Sequence, residues 1–582
     1  MVYVQTPPPR SRSATRPIWI EPAPLPPNLP ALHDDPLIAE LLFRREILDP
    51  GAAADFLHAR PRPAPDPSLL PNMDAAVERI LRAVRDRERV AIFGDYDVDG
   101  ITSTALLTRA LRAALGDPDR VIARLPTRRE GYGLNPAAID DFASAGASLL
   151  IAVDCASSDD ANVGYARARG LDVVVVDHHH MSGPGPDGAI VLSPHLSPGG
   201  PYREFAAVGV VYLLVAALAQ HGCRIDGTNG DPETSLLDYV ALGTIGDVSP
   251  LIGANRALVR DGLKQIHKQQ RPGLVALIRK AGLDPSALTA DRIAFKVTPR
   301  LNAAGRMGDP HLALDLLLTD DPLTAAMLAD EIERLNTERR EVSARIADEA
   351  EALILSRPDW RDRRLLIVAG RGWTAGVLGI AANQLVNRFG RPVLVLADDG
   401  ELSKGSARSV PGFDIVEALG GCGDLLSAWG GHSQAAGLTI RSAQLDALAD
   451  ALDAQLVASG LDLPVPPSIR LDAVLPAERL TVDTAHRIDA LQPFGTGNEQ
   501  PLFLIRDVQV RQYEAIGQDR SHLRLVLSTP RGNVKAIAFG AAPRSRELVL
   551  SRTLDLAACL NLDRWNGQTR LDLEVKDFRP AE

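Results

Sequence analysis

The sequence GDYDVDG places three aspartates, Asp95, Asp97 and Asp99, at every second position before a glycine. Such closely spaced carboxylates can bind divalent cations, and D-x-D-x-D-G is also the first half of an EF-hand calcium loop. An EF-hand needs a glutamate at the twelfth loop position and a helix on both sides, whereas this chain has Leu106 there and the apolar run VAIF upstream. The pattern therefore favours a strand, an acidic turn and a helix, which is where open α/β sheets bind ligands.

Polar side chains follow two further apolar runs of the same region. LLIAVD ends in Asp154, and VVVVDHHH places His178 and His179 after the next run. A third segment, DYVALGTIGD, places Asp247 after an apolar helix or strand. A single aspartate in such a position is more often a helix cap or turn residue, and a single histidine is usually a surface or core residue. Because parallel strands deliver their carboxyl ends to one edge of a sheet, the coincidence of all these groups predicts a shared metal site.

The side chains of this predicted site are carboxylates and imidazoles, with no thiolate among them. Hard oxygen ligands with a few imidazoles suit Mn²⁺ or Mg²⁺ better than structural zinc. Several acids shared by two ions would hold them about 3.5–4 Å apart, an arrangement that activates a water and stabilises the leaving oxygen in phosphoryl hydrolysis. The four cysteines lie far apart without C-x-x-C spacing, so neither a disulfide framework nor a zinc knuckle is expected.

Length and composition limit the remaining possibilities. A chain of 582 residues is long enough for three or four domains. With a formal net charge of −11, any contact with a nucleic acid must use a local basic groove or metal ions. No apolar run approaches the about 18 residues of a membrane span, and the proline-rich, basic N-terminus lacks the apolar core of a secretory signal. We therefore predict a cytoplasmic protein without membrane contact.

The elements that would position these residues form an α/β multidomain chain of five segments. Residues 1–75 are expected to be a flexible Pro-rich leader, to about residue 35, followed by a small helical cap. Strands alternate with helices over 76–315, which predicts a catalytic domain around a mainly parallel sheet. Apolar residues recur at spacings of three and four within 316–358, predicting a helix of about 50 Å that joins two domains. A second α/β domain is expected at 359–462 and a small OB-like β-barrel at 463–582.

The motifs in this chain resemble those of a known superfamily. GDYDVDG, VDC, DHH and GTIGDV are similar to the ordered motifs of the DHH phosphoesterases. KVTPRLNAAGRMG, WTAGVLGIAA, KGSARSVPGFDI, GGHSQAAG and LQPFGTGNEQP resemble, in order, segments of the RecJ branch, the single-strand-specific 5′-to-3′ exonucleases. The likeness runs from about residue 76 to the end. It implies a parallel-sheet DHH domain and an α/β DHHA1 domain joined by the long helix, followed by the OB-like barrel.

The resemblance also implies roles for the residues of the metal site. His179 would face the scissile phosphate and stabilise negative charge or assist the leaving group. Hydrolysis by a water needs no covalent protein nucleophile and would release 5′-mononucleotides. The residues implied as metal ligands are Asp97, Asp99, Asp154, His178 and Asp247, with Asp154 shared by the two ions and Asp95 in the same cluster.

The DHHA1 domain of this family would hold the nucleic-acid end against the metals. For Arg300 and Arg306 the alternative is that each pairs with a local acid. In the barrel, Tyr513 could stack on a base, although a barrel tyrosine is more often a core residue. The implied substrate-binding residues are Arg300, Arg306, Lys404, Ser406, Arg408, Gly431 and His432, and barrel candidates for the nucleic-acid backbone are Arg511, Arg520, Arg524 and Lys535.

Two segments depart from the family pattern. Many relatives read WHPGV where this chain has Thr374 and Ala375 in place of the His-Pro pair. An imidazole near the substrate cleft is therefore missing, and we expect a change in affinity or end preference with an unchanged metal set. His195 lies in Ser-Pro-His where relatives often have Asn-Pro-Asn.

The resemblance implies a place in recombinational and mismatch DNA repair. Single-stranded DNA is the implied substrate, a single-strand-binding protein and a RecQ-type helicase are the implied protein partners, and the chain is expected to be a monomer. A nuclease for very short oligonucleotides or cyclic dinucleotides would share both catalytic modules but typically lacks the barrel. GGHSQAAG and the barrel speak against a family II pyrophosphatase. A non-enzymatic replication scaffold of the DHH type tends to lose metal ligands, which persist here.

Overall fold

The N-terminal segment precedes the first α/β domain in the sequence, but it packs against the C-terminal part of the chain. The structure, a computed structural model, describes residues 16–58, 65–181, 183–225, 234–357, 363–565 and 568–581. Within these ranges, no helix is long and apolar enough to cross a bilayer. The N-terminal elements are β1 (Ile18–Ile20), α1 (Pro36–Phe43) and α2 (Pro50–His58).

The first α/β domain is built on five parallel strands in the order β3-β2-β4-β5-β6. The runs VAIF and LLIAV are buried throughout because helices cover both faces of the sheet. The parallel sheet predicted from these runs is therefore confirmed. Its first elements are α3 (Met73–Arg85), β2 (Val90–Phe93), α4 (Val98–Leu115), β3 (Val121–Arg124), α5 (Pro136–Ser144), β4 (Leu149–Val153), α6 (Asp160–Ala168), β5 (Asp172–Val176) and β6 (Ala189–Leu192).

A group of helices completes this domain beside the carboxyl ends of the strands. The helices α4, α7 and α8 pack on one another and share one large apolar core with the sheet. A π-helical turn at Ile293–Val297 leads into α12. The helices are α7 (Ala207–Gln220), α8 (Leu237–Gly246), α9 (Gly253–His267), α10 (Pro272–Lys280), α11 (Ala290–Arg292), α12 (Thr298–Met307) and α13 (His311–Leu318).

The predicted connecting helix is α14 (Pro322–Ser356), which has 35 residues and is therefore about 52 Å long. Its N-cap Asp321 accepts a hydrogen bond from the N–H of Thr324 at 2.8 Å. One part of the helix packs on α10, α12 and α13, while Ile346 and Ile354 belong to the core of the second α/β domain. The expectation that a long helix joins the two domains is confirmed.

The second α/β domain has a five-stranded sheet in the order β10-β11-β9-β8-β7. Only the pair formed by β7 and β8 is parallel, and the other three pairs are antiparallel. Because β10 stands at one end of this order, it is an edge strand. The elements are β7 (Leu366–Arg371), α15 (Leu378–Phe389), β8 (Val393–Asp398), β9 (Leu402–Arg408), α16 (Ile415–Gly420), β10 (Leu426–His432), β11 (Ala435–Arg441) and α17 (Leu445–Ser459).

The C-terminal region is a closed barrel, as the alternating strands predict. Five strands follow one another in the order β14-β15-β16-β18-β17, and pairing of β14 with β17 closes the ring. Strand β17 is not among the strands predicted from the alternating pattern. The elements are β12 (Ser468–Arg470), β13 (Ala473–Val474), α18 (Val482–Asp489), β14 (Phe503–Ile516), β15 (His522–Thr529), β16 (Gly532–Ala538), α19 (Ser545–Leu550), β17 (Thr553–Trp565) and β18 (Gln568–Pro580).

The N-terminal segment packs against this barrel. Strand β1 pairs in parallel with β12, and the indole N–H of Trp19 donates to Asp577 at 2.6 Å. Leu41 and Leu42 of α1 are buried in the same apolar core as Phe503. The prediction of a flexible leader is thus wrong for Ile18–Ile20, because apolar and indole groups there find partners more than 400 positions away. Residues 1–15 of the predicted leader lie outside the described residues.

Candidate metal centre

The acidic turn between β2 and α4 holds its carboxylates at the carboxyl end of the parallel sheet. Asp97 is the N-cap of α4, and its Oδ1 accepts hydrogen bonds from the N–H groups of Asp99 at 3.0 Å and Gly100 at 3.2 Å. Both helix-cap hydrogen bonds of Asp97 therefore use the same oxygen, Oδ1, and Oδ2 takes no part in them. At Gly100, a Cβ would lie 2.5 Å from the backbone nitrogen and oxygen of Asp95, so this tight turn requires glycine.

Asp99 is fixed by the start of α7. Its Oδ2 accepts from the N–H of Ala207 at 2.7 Å and its Oδ1 from the N–H of Val208 at 3.0 Å. These are among the first amides of the helix, which have no partner within the helix itself and attract negative charge. The buried carboxylate is therefore held rigidly while each oxygen retains further lone pairs for a cation.

Asp154 follows β4 and is 2% exposed. Its backbone has φ +60, a left-handed conformation that is uncommon for residues other than glycine and that clusters at functional sites. Its N–H donates to the carbonyl of Val176 at 2.9 Å. Among the described residues its buried Oδ1 has no hydrogen-bond partner. A buried carboxylate oxygen without a donor is costly, and a bound cation would satisfy it.

The imidazole of His178 lies at the centre of the site. Its Nε2 is 3.4 Å from Asp154 Oδ1, 3.7 Å from Asp99 Oδ2 and 3.8 Å from Asp247 Oδ1. Asp247 caps the C-terminus of α8, and its Oδ2 accepts from the hydroxyl of Ser249 at 2.5 Å. Ligand atoms that share one ion at about 2.1 Å are themselves about 3–4 Å apart, so these separations suit coordination.

The convergence expected from the sequence is present in the structure. Parts of the chain more than 140 positions apart supply donor atoms that lie within 4.8 Å of one another in three overlapping groups. All of the donors are carboxylates and imidazoles, which fit Mn²⁺ or Mg²⁺. The groups are Asp95, Asp97 and Asp154; Asp99, His178 and Asp247; and Asp154, His178 and His179.

The electrostatics of the cluster favour cation binding. Burial, together with the neighbouring charge of Asp97, raises the pKa of Asp95 to about 8. Burial also raises the pKa of Asp99 and Asp154 well above the usual range. The charges of Asp247 and Asp97 add to the effect on the pKa of Asp99, and those of Asp99 and Asp97 add to the effect on the pKa of Asp154. Burial lowers the pKa of His178, which favours the neutral imidazole that can ligate a metal. Divalent ions would replace the protons and remove the repulsion.

His179 differs from its neighbour because it is paired with Asp177. Burial disfavours charge on the imidazole, but the hydrogen bond from its Nδ1 to Asp177 Oδ1 at 2.8 Å outweighs this and raises the pKa of His179 to about 9. Burial opposes charge on Asp177 as well, yet the bond to His179 lowers its pKa. With Nδ1–H donating to Asp177, the other ring nitrogen of a cationic His179 remains for a substrate.

Asp177 and Tyr132 contact this histidine, although the sequence analysis did not identify either as a site residue. The hydroxyl of Tyr132 donates to the backbone carbonyl of Asp154 at 3.2 Å and lies 3.3 Å from His179 Nδ1. Asp177 could have been found, because it is the acid directly before the two histidines in VVVVDHHH. Tyr132 is 47 positions from His179, and no spacing rule links them.

Arginines from both α/β domains meet beside the acidic turn. Burial, followed by the nearby charges of Arg128 and Arg339, lowers the pKa of Arg306 to about 10, and Arg408 and Asp97 also interact with it. Arg306 Nη1 donates to the carbonyl of Gly376 at 3.0 Å, which ties α12 to the second domain. Clustered guanidiniums next to carboxylates suit a phosphate group. Arg128 and Arg339 are not predicted as site residues from the sequence, since neither lies in a distinctive motif.

Arg300 has a different environment from Arg306. It is 3% exposed, and its Nη2 lies 3.1 Å from Glu333 Oε1 on α14, with Nε on the other carboxylate oxygen. The alternative interpretation, pairing with a local acid, therefore describes Arg300 in this structure, and contact of this residue with the substrate stays a prediction. A buried guanidinium that already has a carboxylate partner is poorly placed to bind a phosphate.

The other predicted substrate residues lie on the antiparallel part of the second sheet. Lys404, Ser406 and Arg408 alternate along β9 and so share one face, and Arg408 Nη1 donates to Ser406 Oγ at 2.6 Å. His432 of β10 is in register with Ala435, which is in register with Arg408. Gly431 has φ +141, and a Cβ there would lie 2.3 Å from the carbonyl oxygen of Ala435. The structure thus brings His432 and Arg408 to the same end of the sheet.

The two segments that depart from the family pattern both lie beside residues of the site. Thr374 and Ala375 directly precede Gly376, whose carbonyl accepts from Arg306, so the altered His-Pro positions adjoin the arginine cluster. His195 Nε2 lies 2.9 Å from the carbonyl oxygen of His178, and its ring stacks on His180 at 4.4 Å.

The barrel candidates lie mainly on its outer surface. Arg511 and Lys535 are exposed on β14 and β16, and Arg520 is exposed in the turn before β15. Arg524 forms an exposed ion pair with Glu514 at 2.6 Å. Tyr513 packs on the barrel core, with Arg552 above its ring at 5.1 Å, which favours the core interpretation for this tyrosine.

Three family models match the chain in the order of its domains. The DHH family, N-terminal domain, matches residues 89–244. The DHHA1 domain matches residues 362–458 and the RecJ OB domain matches residues 471–577. The first of these contains most of the predicted metal-ligating residues, and Asp247 lies just beyond it.

Curated relatives match nearly the whole chain. The single-stranded-DNA-specific exonuclease RecJ of Bacillus subtilis is 33% identical over 95% of this chain and 69% of its own length. The protein of the same description from Dickeya dadantii is 35% identical over 88% of this chain and 92% of its own. Both alignments therefore extend through all of the domains described above.

Solved structures give the same result for the fold. The crystal structure of RecJ in complex with Mn²⁺ from Thermus thermophilus superposes with a TM-score of 0.80 at 30% identity, covering 97% of this chain and 80% of that one. The crystal structure of an exonuclease RecJ bound to manganese has a TM-score of 0.58 at 33% identity, covering 68% of this chain and 96% of that one.

Proposed function

This chain belongs to the RecJ family of single-stranded-DNA-specific exonucleases, and we propose that it hydrolyses single-stranded DNA from the 5′ end to 5′-mononucleotides. The observation that carries the proposal is the meeting of carboxylates and imidazoles from four separate parts of the chain at one sheet edge. That arrangement would be costly to bury without cations, and it provides overlapping ligand sets for two of them.

The metal ligands in this proposal are several carboxylates and one neutral imidazole. Two Mn²⁺ or Mg²⁺ ions would supply an activated water and Lewis-acid stabilisation of the leaving oxygen. The chain's contribution is to fix its ligands in advance, since α4 and α7 hold Asp97 and Asp99 by backbone hydrogen bonds. The proposed ligands are Asp97, Asp99, Asp154, His178 and Asp247, with Asp154 shared and Asp95 beside them.

We assign His179 a charge-stabilising role toward the scissile phosphate. Its pairing with Asp177 keeps the imidazole protonated at neutral pH, so it presents a positive N–H donor and not a ligand lone pair. A cationic donor beside a phosphodiester stabilises the charge that develops on the non-bridging or leaving oxygens. Asp177 acts through His179 and is therefore a positioning residue.

The 5′ polarity is assigned to the arginine cluster between the two α/β domains. Arg306 and Arg408 approach each other there, and Arg128 contributes a third guanidinium. A terminal phosphate carries more charge than a phosphodiester and would bind such a cluster more tightly. Ser406, Lys404, Gly431 and His432 lie on the same sheet and would line the path of the strand.

The cellular setting follows from the proposed substrate. We assign the enzyme to recombinational and mismatch DNA repair in the cytoplasm, acting as a monomer. A helicase of the RecQ type would supply single strands, and a single-strand-binding protein would hold them open. The exposed basic residues of the barrel, among them Arg511 and Lys535, would follow the DNA backbone away from the metals.

Labelled DNA tests the activity and its polarity together. The protein with Mn²⁺ is incubated with single strands that carry a label at either the 5′ or the 3′ end, beside a blunt duplex. We expect the 5′ label to appear at once as a mononucleotide, the 3′-labelled strand to shorten progressively, and the duplex to persist. The Asp154→Ala variant should lose about 10³-fold or more of the activity, since both ions would lose a shared ligand. Digestion from the 3′ end, or an active Asp154→Ala variant, would contradict the proposal.

A further inference from the structure

A loop of the C-terminal module lies against the segment that follows Asp247. This 495–498 loop belongs to the motif LQPFGTGNEQP, and the segment it contacts runs over residues 248–252. We infer that the 495–498 loop positions Asp247, so that the barrel module helps to set the affinity of the catalytic centre for its metal ions. The inference rests on the proposed role of Asp247 as a metal ligand.

Direct contacts join the loop to the segment. The N–H of Leu251 donates to the carbonyl of Thr496 at 2.7 Å. A Cβ added at Gly495 would lie 2.6 Å from Leu251 Cδ1, and one added at Gly497 would lie 3.2 Å from Ile252 Cγ2. Both glycines thus allow a close approach that a larger residue would prevent. Leu251 is 2% exposed, so this contact excludes water.

The loop is rigid enough to act as a support. The backbones of Gly495 and Asn498 exchange two hydrogen bonds of 3.0 Å. The side-chain amide of Asn498 donates to the carbonyls of Leu491 at 2.9 Å and Pro493 at 2.8 Å. Arg45, from the N-terminal segment, donates to Asn498 Oδ1 at 2.8 Å. The barrel and the N-terminal segment therefore both fix the shape of this loop.

The supported segment is short and strained, which allows a displacement to reach Asp247. Only three residues separate Asp247 from Leu251. The first of them, Val248, has φ +67, a conformation that is an outlier for a β-branched residue, and it is 65% exposed. A strained residue with little packing of its own persists where its surroundings hold both ends of the segment. Helix α8 holds one end and the 495–498 loop holds the other.

A second set of contacts keeps the start of α9 in the same position. The guanidinium of Arg256 lies 3.8 Å from the ring centroid of Phe56, and its Nη1 donates to the carbonyl of Pro493 at 3.2 Å. Asn255 Nδ2 donates to the carbonyl of Pro250 at 3.1 Å. Because the N-terminal segment and the barrel both contribute, the support belongs to the combined module and not to one side chain.

A matched set of variants of the full-length protein tests this inference. Gly495→Ala adds one carbon against Leu251 Cδ1, and its backbone φ is not in the glycine region. In the double variant Gly495→Ala with Leu251→Ala, the nearest remaining atom, Cβ of residue 251, lies at an ordinary 4.0 Å. Gly164→Ala is the control, because it places a methyl at an exposed position of helix α6, where the backbone is helical and nothing lies within 4 Å.

The measurement is binding of MnCl₂ to the metal-free protein, followed by the electron paramagnetic resonance signal of free Mn²⁺. We expect two sites in the wild type, of which one is weakened about 10-fold by Gly495→Ala, as for other residues that orient a ligand. The double variant should regain most of this affinity, and Gly164→Ala should equal the wild type. Metal-free binding of single-stranded DNA should be the same in all four proteins.

The outcomes separate this inference from the proposed function. Absence of Mn²⁺ binding by the wild type would overturn the metal centre itself. Two wild-type sites with unchanged binding in Gly495→Ala would overturn only the supporting role of the loop. Weakened binding that Leu251→Ala does not restore, or an equal loss in Gly164→Ala, would also overturn it, since the effect would then not pass through Leu251.

Discussion

At the residue scale, the metal centre consists of acids that are difficult to ionise in the absence of cations. Asp95, Asp99 and Asp154 all have raised pKa values because they are buried and lie near other carboxylates of the cluster. In water, single aspartates are charged throughout the neutral range. On the proposed function, the site would exchange protons for metal ions, and its occupancy would depend on pH.

This exchange predicts that Mn²⁺ affinity rises with pH. The pKa of Asp95 is raised to about 8, so below that pH its proton must leave when an ion binds. Release of one proton increases the apparent affinity about tenfold per pH unit, here between about pH 6 and 7. Calorimetric titration with MnCl₂ in buffers of different ionisation enthalpy measures both the affinity and the protons released. An affinity that is flat over this range would show that the acids are already ionised.

The pair formed by His179 and Asp177 predicts a second pH effect. In Asp177→Asn the carboxylate that raises the pKa of His179 to about 9 is lost, while burial continues to favour the neutral ring. The alkaline fall of kcat that depends on His179 should therefore move toward lower pH in this variant. The profile is measured at saturating Mn²⁺.

His179→Gln is the control for this experiment, because it removes the titrating group. It should lower kcat about 10²-fold or more and abolish the alkaline limb assigned to this residue. Identical limbs in the wild type and in Asp177→Asn would show that another group controls the profile.

At the scale of elements, much of the architecture could be predicted from hydrophobic pattern. The runs VAIF, LLIAV and VVVV predict buried parallel strands, and the spacing of apolar residues within 316–358 predicts the long helix α14. The same reasoning locates the carboxylates at strand ends, because a parallel sheet has one carboxyl edge.

The remainder depends on contacts between distant residues. Strand β1 has three residues and no pattern of its own, and it exists because β12 provides a partner. Arg300 and Arg306 occur in one motif and on one helix. Arg300 nevertheless pairs with a carboxylate of α14, whereas Arg306 donates to a backbone carbonyl of the second α/β domain. Sequence spacing cannot distinguish them, because the difference comes from what packs against each face of α12.

The connecting helix provides a test of the ion pair between Arg300 and Glu333. Glu333→Gln leaves a guanidinium that is only 4% exposed without its carboxylate partner. We expect the free energy of unfolding to fall by about 3 kcal/mol, with little change in Mn²⁺ affinity or in KM for single-stranded DNA. Denaturant titration and steady-state kinetics measure these quantities.

Glu338→Gln on the same helix is the matched control. Its partner Arg334 is 58% exposed, so loss of this ion pair should cost less than about 1 kcal/mol. A large rise in KM for Glu333→Gln at unchanged stability would return Arg300 to the substrate site.

At the scale of the whole molecule, the two ends of the chain form one structural unit. Leu42 in α1 is completely buried in the core of the barrel. Leu42→Ala should therefore destabilise the C-terminal module by about 2–5 kcal/mol. In hydrogen exchange, β14 should lose protection while β4, in the first sheet, keeps it. Leu48→Ala, at a residue that is 54% exposed, should change neither strand. Equal loss of protection in both strands would indicate that the N-terminal segment supports the entire molecule.

The claim on which the proposed activity depends is that two divalent ions bind between the ends of the parallel strands. Crystals of the protein soaked in MnCl₂ and measured at the manganese absorption edge test it most directly. We expect two anomalous peaks about 3.5–4 Å apart, one beside Asp97 and Asp154 and the other beside Asp99, His178 and Asp247. Peaks that lie away from Asp154, or no bound manganese at saturating concentration, would contradict the account.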